Sequence, residues 1–192
     1  MQSELPRLKA MFAVAVAVLA LAFSAGTASA STADATSPYA SQAKQAGLTT
    51  SQTAALQKEV NRYLAQTGGK QVAANVIDLG GKSLMSVALP GEAHPRDMTD
   101  GVLVNVCDDS WADYGWFCAW SGTSFTGSSI AMYGCADYVI PWTANGSWEN
   151  NQTTGTVARF KDNSGFIGWE DEGAYDNDWD APWYWVHWVR NC

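Results

Sequence analysis

The chain has 192 residues, with 11 Lys and Arg against 19 Asp and Glu, for a net charge of −8. The imbalance is local: residues 31–100 carry six acids and six bases, whereas residues 101–192 carry twelve acids against Arg159, Lys161 and Arg190, a net charge of −9. A surface that acidic repels nucleic-acid phosphates and anionic lipid, and suits basic proteins, neutral sugars or divalent cations.

Residues 1–30 read as a secretory signal peptide. Arg7 and Lys9 make a basic start, Met11 to Phe23 is apolar, and Ala28-Ser29-Ala30 supplies small residues at a cleavage site. The apolar run is 13 residues, short of the roughly 20 a spanning helix needs, and no later segment is apolar enough to cross a bilayer. The expected product begins at Ser31, is secreted and monomeric, and has no membrane partner after cleavage.

Residues 31–48, rich in Ala, Ser, Thr and Gln, read as a flexible lead-in. Residues 49–89 predict a helix and a hairpin. Thr49, Thr50 or Ser51 can cap the helix, Leu56, Val60, Tyr63 and Leu64 fall on one face, and Gly68-Gly69 ends it. Gln71–Leu79 and Ser83–Leu89 come next as two strands around Gly80-Gly81. So few residues cannot bury a stable core alone. They are expected to pack on residues 101–192, to stay partly mobile, or to form a pro-segment removed after export. Residues 90–100, with Pro90-Gly91, read as a linker.

From Gly101 helical periodicity stops. All ten tryptophans lie between Trp111 and Trp188. Short aromatic and β-branched runs (Val102–Val106, Trp116–Trp120, Ser129–Tyr133, Val157–Phe160, Phe166–Trp169, Trp183–Val189) alternate with Gly, Asn, Asp and Ser clusters, the pattern of a β-sandwich or small barrel over residues 101–192. Cys107, Cys118, Cys135 and Cys192 are even in number, and export makes disulfides available. Three connectivities are open. Pairing Cys107 with Cys118 and Cys135 with Cys192 is preferred, since the second bridge would pin the chain end. Zinc is disfavoured because no C-x2-C pair exists.

Within Trp116–Ser129, Trp120, Phe125 and Gly127 have the spacing of a Greek-key corner, where a glycine lets the backbone turn back under an aromatic ring. This motif resembles that of βγ-crystallin-like proteins. The runs Gly115–Trp120, Met132–Cys135, Gly146–Gly155 and Trp185–Cys192 are also similar to small exported actinobacterial proteins of a peptidase-inhibitor family, related to a metalloproteinase inhibitor with that fold. The resemblance covers about residues 101–192. It implies a mainly β protein: a C-terminal βγ-crystallin-like Greek-key β-sandwich with disulfides, preceded by the short helix and β-hairpin. It further implies a non-enzymatic, peptidase-inhibitor-like function with an extracellular protease, in particular a metalloprotease, as partner. The chain departs from the pattern in its second half, where Tyr175 follows Trp169 one residue late and lacks the later glycine.

The same resemblance makes Asn150, Asn151 and Thr154 candidate calcium ligands, although Gly155 stands where the signature has Ser. Calcium prefers carboxylates among six to eight oxygens, so a hydrogen-bonded turn is the competing reading; no other cofactor is expected. Asp176, Asp178 and Asp180 alternate like part of an EF-hand loop, but Ala181 and His187 occupy its required Gly and Glu positions, which leaves a solvated acidic loop. Glu170-Asp171-Glu172, His94 and His187 form no recognisable catalytic set, and no enzymatic activity is expected. The candidate binding residues are Trp142, Trp148, Trp183, Trp185 and Trp188. In an inhibitor, the loops Tyr138–Trp148 and Glu170–Asp180 would present the contact. In the alternative reading, a cell-wall or polysaccharide-binding module, exposed Trp rings would stack on a glycan.

Overall fold

A computed structural model describes residues 38–99, 106–107 and 111–192. The expected signal peptide and residues 102–105 of the expected strand Val102–Val106 lie outside the described residues. Part of the expected lead-in is helical: α1 spans Ala40–Gln45 with Ala43 buried, and the Tyr39 hydroxyl donates to the Gln71 carbonyl at 2.9 Å. Helix α2 spans Thr50–Thr67. Its start is set by Thr49, whose hydroxyl accepts the Gln52 N–H at 3.3 Å while the Gln52 side chain accepts the Thr49 N–H at 3.0 Å. This reciprocal cap satisfies two donors the helix cannot. Gly68, at φ 71°, ends the helix, and Leu56, Val60 and Tyr63 form its buried stripe.

Strands β1 (Lys70–Ala73), β2 (Val76–Gly80) and β3 (Ser83–Ser86) come after the helix. The expected strand Gln71–Leu79 is therefore two strands, broken by a turn at Ala74-Asn75. Asn75 is buried there and its amide donates to the Arg96 carbonyl at 2.7 Å. The remaining strands are β4 (Trp116–Gly122), β5 (Thr126–Met132), β6 (Asp137–Val139), β7 (Asn145–Asn151), β8 (Arg159–Lys161), β9 (Ile167–Glu170), β10 (Asp176–Pro182) and β11 (Trp188–Arg190).

They form two antiparallel sheets, of order β1-β2-β3-β5-β4-β7-β10 and β6-β11-β8-β9. The protein is thus mainly β, with short helices and two disulfides. The hairpin is part of the larger sheet, because β3 pairs with β5 through Leu84 with Ala131 and Met85 with Ile130. Leu56, Val60, Ile77 and Met85 share one core with Phe117, Trp148 and Phe160. Residues 49–89 thus contribute Leu56, Val60, Ile77 and Met85 to the core of residues 101–192, as the packing expectation had it. The stretch read as a linker is also fastened down: the Ala93 carbonyl accepts the Gly127 N–H at 2.6 Å, and Met98 is buried.

Strand β4 shows how the sheet divides its side chains. Phe117 and Ala119 enter the main core, while Cys118 and Trp120 face a smaller outer cluster with Cys107, Ala112 and Ala131, the two-residue alternation of a strand. On the inner face the Phe117 and Trp148 rings stack at 5.7 Å, and both meet Phe160 of the second sheet, at 6.1 and 5.3 Å. Cys107 is bonded to Cys118 and Cys135 to Cys192, across 11 and 57 residues. In the chain-entropy model such loops stabilise by about 3 and about 4 kcal/mol. Two disulfides suit an oxidising environment. No helix among the described residues is long and apolar enough to cross a membrane.

Two local expectations are corrected. Trp183–Val189 is not one strand: Trp183–Trp185 is a 3-10 turn and only Trp188–Arg190 pairs as β11. Trp183 turns inward instead, because its indole N–H donates to the Trp120 carbonyl at 2.8 Å and its ring stacks on Phe160 at 6.0 Å. Gly146 leaves the room, since a Cβ there would overlap the Trp183 indole. Second, the acidic stretch Asp176–Asp180 is not a loop but most of edge strand β10, paired with β7.

Candidate functional site

Trp120, Phe125 and Gly127 come together as a corner. The Trp120 and Phe125 rings meet edge to face at 5.3 Å. Gly127 has φ 86° and an added Cβ would strike the Ser121 hydroxyl, so only glycine fits without strain. Ser147 locks the turn to β7, accepting the Phe125 N–H and donating to the Gly122 carbonyl, each at 2.8 Å. This corner is structural.

The proposed binding tryptophans divide. Trp142, Trp148 and Trp183 are buried, and the Trp142 indole N–H donates to the Tyr63 hydroxyl at 3.2 Å. Trp185 and Trp188 are half-buried; the Trp188 ring lies edge-on to His187 at 4.1 Å. The rings that face solvent are others: Trp169 at 43% exposure, Trp179 at 62% and Trp111 at 65%, with Phe166, Tyr175 and Tyr184.

Exposed rings gather where the two sheets open. Strands β9 and β10 are the edges of their sheets, and a cleft of about 440 Å³ lies between them. Trp148, Phe160 and Trp183 form its floor, Trp169 and Trp185 its walls, and Asp178 the one charged lining group. Trp169 lies 5.5 Å from Trp148 and 4.9 Å from Phe160. Gly168 makes the wall possible, because a Cβ there would run into the Trp185 ring. Asp178 pairs with Trp148 across β10 and β7, which puts its carboxylate on the inner face of the sheet. Beyond Trp185 a second concavity, of about 600 Å³, opens beside Trp142, Tyr184 and His187.

The β8–β9 hairpin projects from the same edge. Asp162 organises its tip: one carboxylate oxygen accepts the Ser164 hydroxyl at 2.6 Å and the N–H groups of Ser164 and Phe166 at 2.8 and 3.0 Å. These hydrogen bonds, led by that of the Ser164 hydroxyl, hold the carboxyl below its ordinary pKa. The rigid tip exposes Phe166 at 69% and, next to it, Ile167.

A second aromatic surface covers one end of the larger sheet's outer face. Trp116 and Tyr133 meet at 5.0 Å, Trp111 stacks on Tyr175 at 6.3 Å, and Tyr114 is exposed beside them. Beneath lies Glu149, buried with its carboxylate accepting the Ala112 N–H at 3.1 Å. Burial pushes the Glu149 carboxyl above its ordinary pKa. Desolvation, with the Glu149 carboxylate beside it, pushes the Tyr175 hydroxyl up to about 12.

The amide groups of the calcium candidates are engaged in a turn. Asn150 donates to Thr156 and Asp171 at 2.9 and 2.6 Å while its oxygen accepts the Gln152 N–H, Asn151 donates to the Ala112 carbonyl at 2.8 Å, and Thr154 is exposed. These residues hold a turn. The nearby Asp171 carboxylate is itself occupied, accepting the Ala158 and Gly173 N–H groups at 2.8 and 3.1 Å.

The two loops expected to present an inhibitory contact are largely tied down. Tyr138, Ile140 and Trp142 of the first are buried, and Asp171, Gly173 and Ala174 of the second are buried as well. Sequence reasoning missed Trp169 and Asp178 as cleft residues. The signal was present in the alternation of Asp176, Asp178 and Asp180, which has a strand's period. Comparison with protein-family models, with curated proteins and with solved structures finds no match.

Proposed function

We propose that this protein is a secreted, non-enzymatic inhibitor-like protein that engages an extracellular protease with the open edge of its two sheets. The observation that carries this reading is the β8–β9 hairpin, whose Asp162-braced tip holds Phe166 out into solvent beside the aromatic cleft. A segment already rigid in its bound shape loses little entropy on docking, and an exposed ring is a fitting anchor for a protease pocket. The motif-level resemblance of residues 101–192 to the peptidase-inhibitor family, which falls short of a family-model match, and the Trp120–Phe125–Gly127 corner favour the same reading and a βγ-crystallin-like Greek-key arrangement. The test is titration of the secreted protein against thermolysin-like and serine proteases. Stoichiometric slowing that weakens on Phe166→Ala is expected; no effect on any of them would sink the proposal.

A second reading is favoured by the outer aromatic surface. Trp111, Tyr114, Tyr133 and Tyr175 lie exposed around Trp116, and such rings suit stacking on a polysaccharide of a cell wall. Pull-down on insoluble glycans, lost on Trp111→Ala and kept on Phe166→Ala, would select this reading over the first.

A further inference from the structure

We infer that the cleft between β9 and β10 binds a cationic group, the guanidinium or ammonium head of a basic side chain on a protein partner. The inference rests on reading that edge as a recognition face, and it deepens that reading by naming the chemistry the partner presents. Four observations lead to it. Five aromatic side chains line it, Trp148, Phe160, Trp169, Trp183 and Trp185, and Trp169 and Trp185 leave ring surface open at its mouth; a cation over such faces gains from the ring quadrupole. The single charged lining group is an acid, Asp178, half-buried and on the inner face opposite Trp148.

Third, Asp178 is only partly occupied. One carboxylate oxygen accepts the Asp180 N–H at 2.9 Å, and the other has no hydrogen-bond or ion-pair partner among the described residues. A partly desolvated carboxylate against apolar rings gains most from a counter-ion that hydrogen-bonds to it. Fourth, the bases of residues 101–192 are not free for that role. Each base beyond residue 100 is committed to an acid elsewhere: Arg159 to Glu170 at 2.8 Å, and Lys161 and Arg190 to Asp137 at 3.0 and 3.5 Å. The counter-ion comes from outside. Asp176 and Asp180 on the same strand extend the negative field around the mouth, which speeds the approach of a basic partner and makes it salt-dependent.

Arginine fits this cleft in both of its properties, since its planar head stacks on rings and forks onto a carboxylate. The test uses the secreted protein and two small probes, N-acetyl-arginine-methylamide and its neutral isostere N-acetyl-citrulline-methylamide, followed by tryptophan fluorescence and calorimetry. The arginine probe should bind saturably and at least about tenfold more tightly than the citrulline probe, with affinity falling as salt rises. Asp178→Asn keeps an oxygen for the Asp180 N–H and should lose about that tenfold preference, while Trp169→Ala should abolish binding of both. Circular dichroism and melting confirm that each variant folds. Equal binding of the two probes, an unchanged preference in Asp178→Asn, or tighter binding of a neutral oligosaccharide at the same rings would overturn the inference. If the arginine probe binds as described and no protease is slowed, the cation site stands and the inhibitor proposal falls.

Discussion

Trp183 separates a core tryptophan from a recognition tryptophan, and its replacement by Phe tests the distinction. The residue is 1% exposed, its ring stacks on Phe160 at 6.0 Å and tilts against Trp142 at 6.2 Å, and its N–H donates to the buried Trp120 carbonyl. Phe keeps an aromatic ring but removes that donor, and leaving a buried acceptor short of its partner costs about 1–3 kcal/mol. The smaller ring leaves space between Phe160 and Trp142 that costs a further 1–2 kcal/mol, roughly, by analogy with other large-to-small core changes. The total is about 3 kcal/mol. For a chain of this size each kcal/mol moves the melting temperature by roughly 2–4 °C, so Trp183→Phe should melt about 6–12 °C lower in a calorimetric scan. Trp179→Ala, at an exposed position, should move it by no more than about 2 °C. A Trp183→Phe protein that melts within about 2 °C of the parent would refute the assignment of Trp183 as the post joining the two sheets.

Gly168→Ala places a methyl group against the Trp185 ring; it should shift the fluorescence of the cleft and weaken ligand binding with little loss of helix signal, and an unchanged emission spectrum would contradict the packing described. Replacing Cys135 and Cys192 together by Ser opens the loop across 57 residues and should lower stability by about 4 kcal/mol, seen as a lower denaturant midpoint; a midpoint equal to the parent's would deny that the bridge holds the chain end. Stability should also depend on pH. Burial raises the Glu149 and Asp171 carboxyls above their ordinary values of 4.5 and 3.8, so the folded protein binds protons more tightly than the unfolded chain. Their contribution is fully present below those ordinary values and is lost as pH rises through the raised ones. Stability should therefore climb, not fall, as pH drops through the raised values toward the ordinary ones, and Glu149→Gln should flatten the slope. A parent that loses stability over that range, or a variant with the same slope, would count against the buried carboxyl.

The helix and the turns were legible because their causes are local. Thr49, Gln52, the stripe Leu56-Val60-Tyr63 and Gly68 lie within one segment, and each acts on its neighbours. The Trp120–Phe125–Gly127 corner was legible for the same reason. Strands β7 and β10 were not. Their residues, Asn145–Asn151 and Asp176–Pro182, are mostly polar or acidic and become strands because β4 offers one of them a partner and that one then offers the other a partner. Trp183–Trp185 misled in the opposite sense, since aromatic strand propensity was overridden by a hydrogen bond to Trp120, 63 residues away.

By itself the sequence determined a mainly β chain with one capped helix, a sharp acid–base asymmetry, an aromatic C-terminal half and four cysteines free to pair. It also contained every ring of the cleft. Only the tertiary structure decided which rings face water, because burial depends on what packs opposite, and a run such as Trp183 to Trp188 looks the same inside a core or on a surface. It joined the early hairpin to the later sheet, ended the two sheets at β9 and β10, and set Asp178 against Trp148 at their open edge. A carboxylate beside a tryptophan at that edge is a fact of strand register, and register is fixed by long-range pairing that no single stretch of the chain encodes.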